Sequence, residues 1–497
     1  MNALLIYPEW PDTYWSFKHV LPFQGKRAAY APLSLLTVAA LLPKHWRTRL
    51  VDMNVQSLSE ADLKWADVAL LSGMLVHKAD LIALLKRCRA RGLRTVIGGP
   101  ITTSLDTLIP LADHIVAGEA EDLIAELAQD LEHGRAKPLY RASELPSLQR
   151  TPPPDLSLIN PRHYSSMAIQ YSRGCPFNCE FCDIIEVYGR RPRTKTVAQV
   201  MTELDVLYDR NWRGSVFFVD DNFIGNKKNV KELLPAVADW NIRRGRPFSF
   251  FTEASINLAD DTELLCSMQE AGFHRVFVGI ETPDEASLKE AQKLQNTRRS
   301  LLDSVRRLQQ YGLEVMAGFI VGFDNDTEAI FDRQVKFINE AAIPLAMVGL
   351  LQALPGTQLY RRLFKEGRIV GEANGDNTGG GINFRPNMDL NRLLEGYRSV
   401  MKRIYDRDSY YERVRTFLDH YQPGTRVRRT VSDYFAFLQS MVRQGVLDSE
   451  RSSYWKFLLD AATKYRHAFG TAVTLAIMGH HFRAITDNLC NAELGGG

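Results

Sequence analysis

Tyr171–Asp183 reads YSRGCPFNCEFCD and sets Cys175, Cys179 and Cys182 in a CxxxCxxC spacing, with Phe181 just before the last thiol. These are three of the six cysteines in the chain. Three thiolates can hold three irons of a [4Fe–4S] cube and leave the fourth iron without a protein ligand. An open metal position suits a catalytic site and not a structural one. Two plainer readings compete. Thiols at i, i+4 and i+7 could lie buried on one helix face, but Gly174, Pro176 and Asn178 favour turns over helix interiors. A zinc site would want a fourth ligand from a nearby CxxC or HxxxH, and none is obvious. The stretch therefore predicts a reactive cluster carried on a loop.

The bulk composition sets bounds on everything else. A length of 497 residues predicts about three domains. With 45% hydrophobic and 24% charged residues, the chain has the make-up of an ordinary globular protein. A balance of 61 basic against 58 acidic residues argues against a nucleic-acid partner. Few cysteines, half of them clustered, point to a reducing cytoplasm and not to a disulfide framework. The N-terminal MNALLIYPEW lacks the charged start of a signal peptide, and Thr471–Met478 is too short to span a bilayer. Membrane contact, if any, is expected to be peripheral.

Residues 1–135 alternate short apolar runs with helical patterns. Ala3–Tyr7, Thr48–Met53, Ala66–Leu71, Arg94–Ile97 and His114–Ala117 read as strands; Leu33–Leu42, His77–Arg91 and Ala120–Leu131 read as helices. Such alternation predicts an α/β, doubly wound parallel sheet. Ligands of these sheets sit beyond the strands' carboxyl ends. There lie Tyr7-Pro8, Asp52-Met53-Asn54, Ser72-Gly73-Met74, Gly98-Gly99-Pro100 and Gly118-Glu119. They are either ordinary strand-to-helix turns or the floor for a large planar or phosphorylated ligand. A linker follows at 136–160, where three prolines in Arg150–Leu156 (RTPPPDL) predict an extended spacer.

Residues 161–370 show six further strands: Ala168–Ser172, Ser215–Val219, Phe248–Thr252, Arg275–Gly279, Val315–Val321 and Ala346–Leu351. With helical patterns between them, they predict a partial (β/α)6 barrel, and the cysteine loop follows its first strand. Residues 371–497 open on the glycine-rich loop Gly371–Gly381 and turn helical. Trp455, Leu458, Leu459, Ala462, Tyr465 and Phe469 recur at helical spacing, as the stripe of a helix packed on the body or of one lying on a membrane surface.

The cysteine motif after the first strand of a six-unit barrel resembles the radical S-adenosylmethionine enzymes. Asp220-Asp221-Asn222, Glu253 and Val278-Gly279-Ile280-Glu281 end the second, third and fourth strands, where that family holds its nucleoside. The resemblance implies that Cys175, Cys179 and Cys182 bind the cluster. It implies that Phe181, Gly279 and Ile280 flank the adenine, that Glu253 reaches the ribose, and that Asp220 and Glu281 also face the cofactor. A plainer role for these carboxylates is to cap helix N-termini.

The doubly wound domain ahead of such a barrel resembles the cobalamin-binding module of cobalamin-dependent radical enzymes. The resemblance implies cobalamin contacts at Asp52, Asn54, Ser72, Gly73, Met74, Gly98, Gly99, Gly118 and Glu119. Asn54 stands where mutase-type modules carry a cobalt-ligating histidine, so lower-face histidine ligation is not implied. The chain is most similar in motif to the hopanoid methylase group, through Ser72-Gly73-Met74, Cys179–Ile184 (CEFCDI), Phe218–Asn226 (FVDDNFIGN), Val278–Asp284 (VGIETPD), Leu350–Thr357 (LLQALPGT), Trp455–Phe457 and His480-His481. Membership implies methyl transfer, by way of methylcobalamin, to an unactivated carbon of a small or lipid-like molecule. It also implies an electron donor such as flavodoxin or ferredoxin. The alternatives are a radical oxidoreductase or cyclase without net methylation, and a redox-sensing scaffold. Trp10, Trp15 and Tyr188 are candidates for an apolar cavity wall or for core. Arg191 and Arg193, in Gly189–Lys195, are candidates for a substrate's acidic tail or for neutralising the cluster region. The proline linker and the aromatic N-terminal loop are expected to line the seam between sheet and barrel.

Overall fold

The computed structural model describes residues 1–376, 378–379, 381–424 and 430–491. Parts of the Gly371–Gly381 loop and the C-terminal 492–497 lie outside them. Among the described residues the strands are β1 (Asn2–Tyr7), β2 (Ala28–Tyr30), β3 (Arg47–Asp52), β4 (Val68–Ser72), β5 (Arg94–Gly98), β6 (His114–Ala117), β7 (Leu139–Arg141), β8 (Tyr164–Ile169), β9 (Ser172–Arg173), β10 (Arg193–Thr194), β11 (Gly214–Phe218), β12 (Phe248–Glu253), β13 (Phe273–Glu281), β14 (Glu314–Val321) and β15 (Leu345–Leu350).

The first sheet is wholly parallel, in the order β3-β1-β4-β5-β6-β7. Its strands are apolar on both faces because helices cover both. Ala3, Leu5, Leu70, Val96 and Val116 pack with Leu35, Leu36 and Ala39 of the helix Leu33–Leu41. Leu4, Ile6, Ala69, Leu71 and Ile97 pack on the other face with Leu81, Leu84 and Leu85 of the helix Lys78–Ala90. The period of two thus divides one strand between two cores. The chain order reverses between β1 and β4, so the crevice of this sheet opens beside Tyr7 and Ser72. The sheet continues past residue 135, since β7 pairs with β6 (Val116↔Tyr140).

The second sheet is also parallel, in the order β15-β14-β13-β12-β11-β8-β2. All six strands expected from the sequence are present. The seventh, β2, comes from the N-terminal region and pairs with β8 (Ala28↔Tyr164, Tyr30↔Ser166). Three residues, AAY, carry no readable period, which is why this strand escapes a sequence reading. The curled sheet does not close on itself; hydroxyls cover the outer edge of β15. Tyr14 and Tyr397 both donate to the Val348 carbonyl, at 3.1 and 3.2 Å, and Tyr405 donates to Ala346 at 2.6 Å. Edge carbonyls that would otherwise be buried unpaired are satisfied in this way.

The proline run expected as an extended spacer is held against its neighbours. It is bound on both sides: Asp155 N donates to Leu36 O at 3.0 Å, and Gln199 Nε2 donates to the Leu148 and Thr151 carbonyls at 3.0 Å. Beyond the barrel run the helices Leu390–Tyr405, Arg407–His420, Val431–Gly445, Arg451–Thr463 and Phe469–Asn491. The C-terminal stripe is corrected by one residue: Tyr454, Phe457, Leu458, Ala461 and Tyr465 are buried, while Trp455 and Leu459 stay exposed. His481 is buried and bonds Tyr14 O through Nε2 at 3.0 Å, tying the last helix to the aromatic loop. Among the described residues no helix is long and apolar enough to cross a membrane.

Candidate active site between sheet and barrel

The cysteine loop leaves β8 through Gly174, whose φ of +93° suits glycine. A Cβ there would stand 2.8 Å from Gly189 O and 3.0 Å from Tyr188 O. The root of the loop is held from β11. Asp220 accepts from Tyr171 N at 3.2 Å and from Ser172, and Asp221 accepts from Gly174 N at 2.9 Å. The far side is pinned to the segments beyond β13 and β15, with Glu180 N on Ala291 O at 2.9 Å and Gln358 Nε2 on Asn178 Oδ1 at 3.0 Å. Asp220, expected against the cofactor, is buried and faces the loop backbone instead. Three polar contacts to one carboxylate explain why it must sit there.

Amide donors approach two of the thiols: Asn222 Nδ2 lies 3.8 Å from Cys175 Sγ, and Gln295 Nε2 lies 3.5 Å from Cys179 Sγ. Burial pushes the Cys175 and Cys182 thiols up, and Lys293 works against that rise. Lys293 is itself buried; Glu281, and then the Cys179 and Cys182 sulfurs, more than offset the cost of its charge. Its Nζ lies 2.6 Å from Glu281 Oε1. Glu281 holds a left-handed φ of +65°. Gly279 makes room for this pair, since a Cβ there would stand 2.8 Å from Lys293 Nζ. The Gly279 and Ile280 carbonyls accept from Asn296 Nδ2 at 3.0 and 2.9 Å. Among the described residues no three Cys, His, Asp or Glu side chains converge on one ion. A loop of three thiols ringed by N–H donors and one cation fits an anionic iron–sulfur cluster.

A single cavity of about 840 Å³ runs from the first sheet to the barrel mouth. Ser72, Gly73, Met74, Gly98, Gly99, Gly118 and Glu119 line it at the carboxyl ends of β4, β5 and β6. Phe181, Glu253, Phe277, Glu281 and Met347 line it from the barrel. A slot walled by Val38, Leu41, Leu70, Val96, Val116 and Ile124 extends it into the first sheet's core. Trp10, Tyr14, Trp15 and Tyr188 close its sides, so the aromatic loop lines the seam; the proline run does not. Gly118 has a φ of +97° and no atom within 4 Å of where a Cβ would stand, which leaves open space over the backbone. No histidine lines the cavity among the described residues. The floor fits a large, flat, mostly apolar ligand approached without a protein imidazole.

Glu253 projects into this cavity without a hydrogen-bond partner for its carboxyl group among the described residues. Burial, then Asp221 and Asp220, push it up to about 8. A protonated carboxyl there can both donate to and accept from a ligand hydroxyl. Asp52 and Asn54 do not line the cavity. Asp52 accepts from Tyr164 of β8 at 2.9 Å and from Asn54 Nδ2 at 2.7 Å. Asn54 accepts from Trp10 N at 2.8 Å and donates to Pro8 O at 3.1 Å. The pair fastens β3 to the barrel and shapes the aromatic loop. Glu119 accepts from Arg173 and Arg193, and Arg173 also meets Glu121 at 2.8 Å. Arg193 is therefore spent inside the protein and not on an outside anion. His77, which the sequence reading passed over, accepts from Met74 N at 3.1 Å and props the Ser72–Met74 turn.

Residues 169–338 match the Radical SAM superfamily, so the loop and half-barrel define a radical S-adenosylmethionine enzyme. Residues 357–493 match a domain of unknown function. A methyltransferase of unknown specificity from Synechocystis sp. is 42% identical over 97% of this chain and 91% of its own length. The hopanoid C-2 methylase of Rhodopseudomonas palustris is 34% identical over 92% of this chain and 89% of its own. The chain belongs to this methyltransferase group of the superfamily. Among solved structures, TsrM from Kitasatospora setae, with cobalamin and a [4Fe–4S] cluster bound, matches 94% of this chain and 99% of its own at a TM-score of 0.61 and 16% identity. OxsB, with aqua-cobalamin and S-adenosylmethionine bound, matches 98% of this chain and 79% of its own at a TM-score of 0.63 and 15% identity. At such identities the likeness concerns the fold.

Proposed function

We propose that this methyltransferase places a methyl group on an unactivated carbon of an apolar small molecule, using a [4Fe–4S] cluster, S-adenosylmethionine and cobalamin. The observation that carries the reading is the single cavity shared by the glycine-rich ends of the first sheet and the barrel mouth. A saturated carbon has no lone pair with which to attack a sulfonium methyl, so hydrogen abstraction and methyl delivery must meet at one point. When bound, the cluster would supply a low-potential electron, S-adenosylmethionine both a methyl group and a hydrogen-abstracting fragment, and cobalamin a methyl carrier.

The chain's own residues hold these parts in register. Cys175, Cys179 and Cys182 would carry the cluster, with Asn222 and Gln295 donating to the sulfurs. Glu253 would take the ribose hydroxyls. The backbone at Gly279 and Ile280 is fixed by Asn296 and would form the adenine wall beside Phe181. Ser72, Gly73, Gly98, Gly99 and Gly118 would underlie the corrin, and the apolar slot would take its tail. Trp10, Trp15 and Phe277 would keep water from the reacting carbon. The substrate of the Rhodopseudomonas palustris relative, a hopanoid, is the first to test. Anaerobically reconstituted protein, with a flavodoxin- or ferredoxin-type reductant, should form S-adenosylhomocysteine and 5′-deoxyadenosine together with a product heavier by one methylene. Formation of 5′-deoxyadenosine with no S-adenosylhomocysteine across apolar substrates would reject net methylation.

A further inference from the structure

The helix Val431–Gly445 packs one side on the body and carries a second apolar stripe on its outer side. Its packed face mixes apolar Ala436, Phe437 and Met441 with Ser440 and Gln444, which are 0% and 1% exposed and bond one another, Ser440 also meeting Tyr454. Its outward face is apolar: Val431, Tyr434, Phe435, Leu438 and Val442 recur at three- and four-residue steps and are all exposed. The stripe runs on through Val446 and Leu447 to Trp455 and Leu459 of the next helix. Trp455 joins the two helices, its Nε1 donating to Gly445 O at 2.8 Å. Nine of the eighteen large apolar side chains left exposed among the described residues fall within these 29 positions, a density that marks a surface built for contact.

The charges around the stripe identify the partner. The acidic groups of the hairpin are engaged within the protein. Asp433 caps its own helix through Thr430; Asp448 and Glu450 meet Arg407 at 2.9 and 2.7 Å; Asp460 meets Arg415 at 2.8 Å. Arg451, Lys456 and Arg466 are exposed and have no ionic partner among the described residues. A two-fold interface between copies of this hairpin would offer these cations only carboxylates that are already engaged. An apolar stripe with a half-exposed tryptophan and a cationic flank matches the interface of an anionic bilayer. The patch is also continuous with the active-site wall. Arg443 lies over the Phe23 ring at 5.6 Å, and Phe435 packs beside Gly25, in the segment that carries Tyr14 and Trp15 to the cavity.

We infer that the hairpin Val431–Thr463 is a docking surface for an anionic lipid bilayer, which seats the enzyme with its aromatic cavity wall next to the membrane. The surface is independent of the chemistry proposed above, because vesicle binding is read on the full chain without substrate. Sedimentation with phosphatidylglycerol–phosphatidylcholine vesicles should capture the wild type. Leu438→Glu with Leu459→Glu, and separately Arg451→Glu with Lys456→Glu, should each weaken capture about tenfold or more, while thermal unfolding stays that of the wild type. Brominated lipid should quench part of the wild-type tryptophan emission, and Trp455→Phe should abolish that part; this second reading stands even if a charged variant misfolds. The proposal is overturned if the wild type ignores the vesicles, or if it binds phosphatidylcholine alone equally well. It is also overturned if Leu438→Glu only splits a stable dimer.

Discussion

Arg173 Nη1 lies 2.6 Å from Glu119 Oε2, and both side chains are almost fully buried. Arg173 stands one residue before the glycine that opens the cysteine loop; Glu119 stands at the end of β6 in the other sheet. One ion pair therefore sets the distance between the cluster loop and the floor of the first domain. With Arg193 on the second face of the same carboxylate, it forms a three-membered lock across the seam.

Replacing one member of a buried pair strands the other charge. Glu119→Gln should destabilise the protein by about 3–5 kcal/mol, because Arg193 loses its carboxylate and Arg173 is left with Glu121 alone. Scanning calorimetry on the ligand-free chain should show the loss, together with weaker coupling between the unfolding of sheet and barrel. A variant as stable as the wild type would show that the lock holds nothing.

Gly174→Ala should cost the iron content and not only stability. Its Cβ would strike the carbonyls of Gly189 and Tyr188 in a backbone that already disfavours side chains, a strain of about 1–3 kcal/mol. Iron and sulfide per chain after anaerobic reconstitution should fall well below wild type. Gly92→Ala is the control: it has a φ of +66° but open space around it, so it should keep its iron.

Asp220→Asn tests whether this carboxylate positions the loop. An amide cannot accept all the hydrogen bonds from Tyr171 and Ser172, and a buried donor left unpaired costs about 1–3 kcal/mol. Broader EPR lines and faster loss of the cluster in air are expected. Direct contact with S-adenosylmethionine would instead raise its dissociation constant and leave the cluster intact.

Glu253 gives a pH dependence of definite sign. In the folded chain it keeps its proton up to about pH 8, against 4.5 for a free glutamate. Between those values the folded state holds more protons than the unfolded one, so this group makes stability fall as pH rises through the window. Asp220 and Asp221, pushed up to about 7 and 6 chiefly by burial, act in the same direction. In ligand-free protein Glu253→Gln should match the wild type below the window and exceed it above by a few kcal/mol. Denaturant midpoints across the range decide this; parallel curves would refute it.

Much of this architecture could be read from the sequence because parallel strands buried on both faces make dense apolar runs. β1, β5 and β14 stand out for that reason. β2 and β7 did not, since three residues at a sheet edge carry no period and gain their pairing only from a distant strand. The cysteine loop was legible because thiol spacing is local. Asn222, Gln295, Lys293 and Asn296 were not, because each matters only through where a fold of several hundred residues brings it. Asp52 and Asn54 show the opposite failure. They lie in the expected turn, but hydrogen bonds to Tyr164 and Trp10 turn them from the cavity to the seam. The C-terminal stripe was one residue off because both faces of that helix are apolar, and spacing alone does not say which faces inward.

The crossing of β2 into the far sheet has a consequence for inheritance. A gene broken at the proline run would separate β8 from its outer neighbour, and β15 from Tyr14. Neither half could be traded for the matching half of a relative unless thirty residues of the other travelled with it. The two cofactor floors are woven and not strung, so they should have changed together over descent, and trees built from either half should branch alike.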